Sequence, residues 1–412
     1  MKILVLNCGS SSVKYQVFSI TNGEQADALA GGIVEEVGLG NPTLKHAKPG
    51  MEKLVKRNLP VRDHKEAIKI VIETLCDPTY GVLGSVKELQ AVGHRVVHGA
   101  EKFASSVCID DAVMKALYDN IELAPLHNPP NIQGIEAVRA LLPDIPQVGV
   151  FDTAFHQTME PYAYLYAIPY SLYEKYGVRR YGFHGTSHKF VASQAAKYLG
   201  KPISDLKIIT CHLGNGASVT AIKYGKSVDT SMGFTPLEGL AMGTRCGDLD
   251  PAIVFLLMKK EKLTVDAVDN LLNKRSGVGG LSSGLSSDMR TFEDAIHNGP
   301  SDPNYERSML VLKVYCHRVQ KYIGAYAACM GGVDCVVFTG GIGENFSEVC
   351  DWSCQGLEFM GISGVKAKRA GGNIIEASAP DSKVKVLIVP TNEELAIARD
   401  TFELTNRQRL VD

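Results

Sequence analysis

The 412-residue sequence has no apolar run longer than the seven residues Ala252–Met258, and a membrane-spanning helix needs about 18 or more. Its N-terminus offers one lysine and then only Ile3-Leu4-Val5-Leu6 before Asn7-Cys8-Gly9, too short a core for a signal peptide. A cytoplasmic protein with no membrane partner is expected. Charge is not in excess either: 43 Lys+Arg stand against 45 Asp+Glu, a formal net charge of −2. With no basic field to hold a polyanion, no nucleic-acid partner is expected. The ten cysteines include no C-x-x-C pair, so scattered, reduced and mostly buried thiols are expected. Cys350 and Cys354 have no matching second half-site.

The widespread nucleotide motifs are missing as well. No G-x-x-x-x-G-K-[ST] occurs, and Gly214-Asn215-Gly216 lacks the third glycine of a dinucleotide fingerprint. Neither H-R-D nor D-F-G of a protein kinase is present. His94/His98 and His184/His188 have i,i+4 spacing without the intervening glutamate of H-E-x-x-H. Both pairs read as strand or loop, and no zinc is expected.

What is there alternates strand and helix. Residues 2–6 and 13–20 read as two strands joined by Asn7-Cys8-Gly9-Ser10-Ser11-Ser12. Residues 64–76 read as a helix, with Ala67, Ile68, Val71, Ile72 and Leu75 on one face, a capping box from Asp63 and Glu66, and a stop at Asp77-Pro78. Strands follow at 91–97 and 145–151, with a helix at 132–142 between them. The second half begins again: strands at 207–213 and 217–223 around Gly214-Asn215-Gly216, a long helix at 305–330, a strand at 335–338 running into Gly340-Gly341-Ile342-Gly343, a strand at 384–389 and a last helix at 392–402. The hairpin around Gly9 returns around Gly214, about half a chain later. This echo points to a duplicated α/β domain whose hairpins present backbone N–H groups to phosphate.

Polar clusters sit at the predicted strand ends, where ligands bind in open α/β sheets. Seven of them occur in order: NCGSSSVKY at 7–15, RYGFHGTSH at 180–188, HLGNGAS at 212–218, TPLEGLAMGTRCGDLDP at 235–251, SGLSSDMR at 283–290, TGGIGEN at 339–345 and PTNEE at 390–394. Together they resemble the acetate/propionate kinase family, within the sugar kinase–Hsp70–actin superfamily, from Met1 to beyond Glu394. The resemblance implies an α/β, duplicated actin/Hsp70-like ATPase fold with two domains and a central cleft. An N-terminal lobe of residues 1–150 plus about 388–412 would carry the acid and Mg²⁺; a C-terminal lobe of 151–387 would carry the nucleotide.

The activity implied is reversible transfer of the ATP γ-phosphoryl group to acetate, giving acetyl phosphate and ADP by direct in-line attack. The alternatives are a propionate or butyrate kinase, or an actin/Hsp70-like ATPase. Acetate is already ionised at neutral pH, so the task is to align two anions and neutralise charge, for which arginines, a histidine and Mg²⁺ are suited. By resemblance, Arg95 and Arg245 clamp carboxylate and phosphoryl oxygens, His184 donates to the phosphoryl group in flight, and His127 assists. Asp152 orients Arg95 or a metal-bound water. Asn7 and Glu393 hold Mg²⁺, which Mn²⁺ can replace, and Lys14 approaches the ATP phosphates. Nucleotide contacts are expected from His212, Leu213, Gly214, Asn215 and Gly216, from Asp288, Met289 and Arg290, and from Gly341, Ile342, Gly343, Glu344 and Asn345. Val97, Leu126, Phe183 and Pro236 would line a small apolar pocket, with Val97 favouring acetate over propionate. A homodimer is expected.

Overall fold

A computed structural model describes residues 1–21, 23, 25–125 and 127–409. The chain divides into two compact units, Met1–Gln157 with Asn392–Asp412, and Thr158–Thr391. In unit 1, β1 (Lys2–Gly9), β2 (Ser12–Ile20), β3 (Ala26–Glu35), β4 (Thr43–Ala47) and β5 (Leu54–Lys56) form an antiparallel meander. β6 (Leu89–Val96), β7 (Val107–Cys108) and β8 (Gln147–Phe151) complete the sheet: β6 is parallel to β1, β8 is parallel to β6, and β7 closes the edge antiparallel to β8.

Unit 2 repeats this plan. β9 (Lys207–Leu213), β10 (Ala217–Lys223) and β11 (Lys226–Thr230) form the meander. β12 (Cys335–Thr339), β13 (Ile375–Glu376) and β14 (Lys385–Ile388) follow, with β12 parallel to β9, β14 parallel to β12, and β13 antiparallel to β14. Without β4 and β5, the order β3-β2-β1-β6-β8-β7 matches β11-β10-β9-β12-β14-β13 strand for strand and sense for sense. The echo of the two hairpins is therefore a duplication of the whole sheet.

The sequence of β1 shows why a central strand forms here. Ile3, Leu4, Val5 and Leu6 are all buried, as expected of a strand covered on both faces. Leu4 and Leu6 join the core with Ala67, Ile68 and Val71 of helix His64–Leu75 and Val138 of helix Asn128–Leu141. Ile3 and Val5 join the opposite core with Ile397 and Ala398 of helix Glu393–Arg409. Helix His64–Leu75 starts where the sequence signals it: Asp63 Oδ1 accepts from Glu66 N at 2.8 Å. The reciprocal bond is shifted by one residue, Arg62 N donating to Glu66 Oε2 at 2.7 Å.

The division of the chain falls at 157/158 and 391/392, a few residues beyond 150/151 and 387/388. β8 pairs with β6, and Asp152 N donates to Val96 O at 2.9 Å, so Asp152 is stitched into unit 1 rather than the C-terminal lobe. Two elements differ from the sequence reading. The helix expected from 132 begins at Asn128 because Pro129 and Pro130 fit its first turn. Gly340-Gly341-Ile342-Gly343 is the start of a short helix, Gly340–Asn345, and not an open loop.

Candidate active site

In unit 1 the polar residues gather at the carboxyl ends of adjacent parallel strands. Register pairs Leu6 of β1 with His94 of β6, which puts Asn7 and Arg95 next along their strands. Arg95 is fixed by a two-point contact with Asp152: Nε to Oδ1 at 3.1 Å and Nη2 to Oδ2 at 2.6 Å. Glu393, first residue of its helix, adds a looser contact at 3.7 Å. Burial works against the Arg95 charge, but Asp152 and Glu393 outweigh it and raise the guanidinium pKa. Burial pushes the Asp152 carboxyl up, while Arg95 and, more weakly, His127 pull it down. Asp152 is thus the anchor of an arginine. Lys14 is engaged in an ion pair with Glu394, so its amine is not held ready for a phosphate alone.

The loop after β6 is held by two buried asparagines that the sequence reading passed over. Asn131 Oδ1 accepts from Val97 N at 3.0 Å while its amide donates to Cys8 O at 2.8 Å. Asn128 Oδ1 accepts from His98 N at 3.2 Å and its amide donates back to His98 O at 3.1 Å. In the sequence Asn128 stands within His-Asn-Pro-Pro, a run that also fits a rigid turn. His127 caps the same helix, and Val97 is buried beside it. Leu126 lies outside the described residues.

In unit 2 a cation stands without a counter-ion. Arg245 makes no ion pair among the described residues; its Nη1 reaches only Pro236 O at 3.5 Å and Met242 Sδ at 3.8 Å. Burial alone acts on it and lowers its pKa. A desolvated guanidinium with its hydrogen-bonding fork unused is a binding group for an anion. Its position is set by backbone: Met242 N donates to Arg245 O at 3.1 Å. His184 converges on the same place. A Cβ built on Gly216 would lie 3.4 Å from Arg245 Nη1 and 3.5 Å from His184 Nε2.

His184 precedes helix Gly185–Leu199 in a left-handed conformation, φ 57°, which turns its ring back toward the sheet. His188 lies one turn along that helix, in contrast to the strand or loop context expected for it. The i,i+4 pair meets on the Ser218 hydroxyl, 2.9 Å from His184 Nδ1 and 2.7 Å from His188 Nε2. His212 stacks on His184 with ring centroids 4.3 Å apart, and its Nδ1 bonds Ser187 Oγ at 2.8 Å. Phe183 is buried beside them.

A cavity of about 760 Å³ opens in unit 2, within the range of small-molecule sites. Of the expected nucleotide contacts, Gly214, Asn215, Asp288, Met289, Arg290, Gly341, Ile342 and Asn345 line it. His212, Leu213, Gly216, Gly343 and Glu344 do not. Glu344 is a strap: its Oε1 accepts from Gly340 N and Thr391 N, both at 3.0 Å, tying the glycine turn to the end of β14. Gly340 has no substitute, since at φ 78° a Cβ would meet Leu213 O at 2.7 Å. Asp288 and Asn345 are already engaged, Asp288 by Arg290 Nε at 3.0 Å and Asn345 Nδ2 by Gly341 O at 2.9 Å. Phe346, Glu293 and Arg369 also line the cavity, the last two paired at 2.6 Å. Their sequence surroundings gave no signal.

Residues 2–399 match the model of the acetokinase family. The chain belongs to that family. Among the acetokinase sequences it resembles, acetate kinase of Alkaliphilus metalliredigens is 58% identical over 98% of this chain and 100% of its own length. Acetate kinase of Clostridioides difficile is 56% identical over the same shares. Of solved structures, Porphyromonas gingivalis acetate kinase superimposes with a TM-score of 0.92 at 49% identity, covering 98% of this chain and 99% of that one. A propionate kinase from Francisella tularensis gives 0.88 at 39%, with the same coverage. Acetokinases use ATP as co-substrate. No helix among the described residues is long and apolar enough to cross a membrane.

Asn7 and Glu393, the positions at which the sequence resemblance implies Mg²⁺, offer donors that fit it. Among the described residues Asn7 makes no side-chain hydrogen bond, and the Glu393 carboxylate has one ion pair, with Arg95 at 3.7 Å. A carboxamide oxygen and a loosely held carboxylate are hard oxygen donors of the kind that bind Mg²⁺ in a partly hydrated shell.

Proposed function

We propose that this chain catalyses reversible transfer of the γ-phosphoryl group of ATP to acetate, giving acetyl phosphate and ADP. A carboxylate oxygen of acetate forms the new bond to phosphorus as the bond to the β,γ-bridging oxygen breaks, and the electron pair leaves with ADP. Acetate is ionised at neutral pH, so no group has to remove a proton. The protein's work is to hold two anions in line and to neutralise charge on the phosphoryl oxygens.

Arg245 carries this reading: it is a half-buried guanidinium without a carboxylate partner, converging with His184 on Gly216. In this reading Arg245 binds the transferring phosphoryl group and His184 donates a hydrogen bond to it. Arg95, oriented by Asp152, binds the acetate carboxylate, and His127 assists. Val97 bounds the methyl group; one methylene more is worth about 1–3 kcal/mol in an apolar pocket, so propionate is a poorer substrate. The cavity lined by Asp288, Arg290, Gly341 and Asn345 takes the nucleotide, with the N–H groups of helix Gly340–Asn345 toward its phosphates. Lys14 exchanges Glu394 for a phosphate. Asn7 and Glu393 hold Mg²⁺, or Mn²⁺ in its place, which when bound offsets charge on the β- and γ-phosphates.

The protein is read as cytoplasmic and homodimeric. Supporting the dimer, no side chain of helix Ala252–Lys260 is fully buried, and Phe255 and Leu256 are 61% and 52% exposed. The test is a coupled assay with ATP, Mg²⁺ and acetate, propionate or butyrate. ADP and acetyl phosphate should appear in equal amounts, with the highest kcat/KM for acetate. ADP release without an acyl phosphate would point to an ATPase instead.

A further inference from the structure

Three side chains lead away from His184. Ser218 Oγ on β10 lies 2.9 Å from His184 Nδ1 and 2.7 Å from His188 Nε2, and His188 Nδ1 lies 2.7 Å from Thr210 Oγ1 on β9. Ser218, His188 and Thr210 are all fully buried. Thr210 and Ser218 make no other side-chain hydrogen bond among the described residues.

A hydroxyl has one hydrogen and two acceptor lone pairs, so three proton arrangements run along this line with neutral rings; in the third, Ser218 accepts from both rings and its own buried hydrogen is orphaned. In the first, Thr210 donates to His188 Nδ1, His188 Nε2–H donates to Ser218, and Ser218 donates to His184 Nδ1. Every hydrogen within the line then has an acceptor, and the His184 hydrogen is on Nε2, outside the line. In the second, all three bonds reverse. His184 carries its hydrogen on Nδ1, and the Thr210 hydrogen is left buried without an acceptor. An orphaned buried donor disfavours the second and third arrangements by about 5- to 150-fold.

We propose that Thr210, His188 and Ser218 are positioning residues that set His184 as a neutral imidazole with its hydrogen on Nε2. This rests on the reading that His184 donates to the transferring phosphoryl group. The donor therefore works uncharged. The groups facing the ring agree with this: Arg245 approaches Nε2 from its loop, His212 stacks on it from β9, and His188 shares Ser218 from the same helix. A proton added at His184 Nδ1 would leave either the Ser218 or the Thr210 hydrogen without an acceptor.

The full chain labelled with ¹⁵N-histidine reports the tautomer directly through long-range ¹⁵N–¹H correlation, with His184 assigned by its loss in His184→Gln. At pH 7 and without substrate, His184 should show the Nε2–H pattern. Thr210→Val should turn it into a tautomer mixture, because each arrangement then leaves the bond at His188 Nδ1 unmade. Thr210→Ser should restore the single tautomer. Ser218→Ala should lower kcat about 10- to 100-fold by freeing the ring, with a much smaller change in KM for ATP. An Nδ1–H or imidazolium pattern in the unmodified protein would overturn the proposal, as would a Thr210→Val spectrum like that of the parent. The spectrum is read without any turnover, so a protein that shows Nε2–H but fails to phosphorylate acetate overturns the proposed reaction and not the relay.

Discussion

Arg95 and Arg245 look equivalent in sequence, and the structure predicts that removing them has different consequences. Arg95→Ala strips a two-point partner from Asp152, whose side chain is 1% exposed. Breaking a buried pair from one side leaves a buried charge uncompensated and is worth about 3–5 kcal/mol. For a unit of this size the loss lowers the melting temperature by roughly 6–20 °C. Arg245→Ala removes a guanidinium that has no ion pair and that burial already disfavours. Its melting temperature should be unchanged or slightly raised. Both variants should lose turnover by about 10²–10³-fold, the size of one transition-state contact worth about 3–4 kcal/mol.

The pH dependence separates the two further. Burial raises the Asp152 pKa in the folded protein, and without Arg95 the rise is larger. A carboxyl whose folded pKa is raised binds its proton more readily folded than unfolded. The instability of Arg95→Ala is therefore full at neutral pH and shrinks as pH falls through the folded pKa. Adding Asp152→Asn should restore stability without restoring activity. Calorimetry from pH 5 to 8, with hydrogen exchange at β6 and β8 amides, measures both effects. Equal melting temperatures for Arg95→Ala and Arg245→Ala would refute the reasoning.

Gly216→Ala should fold normally, since its Cβ meets Arg245 and His184 at ordinary contact distance, yet lower kcat/KM about 100-fold by occupying space beside both donors; near-parental kinetics would remove that space from the reaction. Burial pushes His94 down to about 4; because the unfolded chain takes up this proton first, about 3 kcal/mol of stability should be lost as pH falls from about 6.5 to 4, and His94→Gln should flatten that limb in acid titrations. Val97→Ala should shift the ratio of kcat/KM for propionate over acetate upward by about tenfold; an unchanged ratio would take Val97 out of the pocket.

The strands were legible because burial on both faces is written as short continuous apolar runs: Ile3 to Leu6 feed two cores at once, and 207–213 with 217–223 bracket a glycine turn of the kind a hairpin uses. The start of helix Asn128–Leu141 was not, because Asn-Pro-Pro reads as a turn until the helix behind it is seen. The cations of the site were visible as residue types. Their partners were not, since nothing near Arg95 in sequence names Asp152, and nothing near Arg245 says that no carboxylate will come. Ser218 and Thr210 were the least legible. A hydroxyl in a strand has no sequence signature, and its meaning appears only when β9 and β10 pair Ser218 with His212 and bring His188 over both.

The duplication explains how one scaffold holds such different equipment. In each unit the hairpin and the two parallel strands beside it end at the same side of the sheet, where the next segment must turn. In unit 1 the ends of β6 and β8 hold Arg95 and Asp152, a charge pair that fixes a guanidinium in place. In unit 2 the matching ends of β12 and β14 are joined by Glu344, which accepts from the backbone of Gly340 and Thr391. A carboxylate braces both pairs of strand ends, but only in unit 1 does it brace a side-chain cation. In unit 2 it braces glycine backbone, which leaves the N–H groups of helix Gly340–Asn345 as the anion-directed dipoles. The separate cation Arg245 then has to come from outside the repeated strands, on the segment between β11 and β12, where no repeat-derived carboxylate accompanies it. Its lack of a carboxylate partner among the described residues is what the proposed role in binding a phosphoryl group requires.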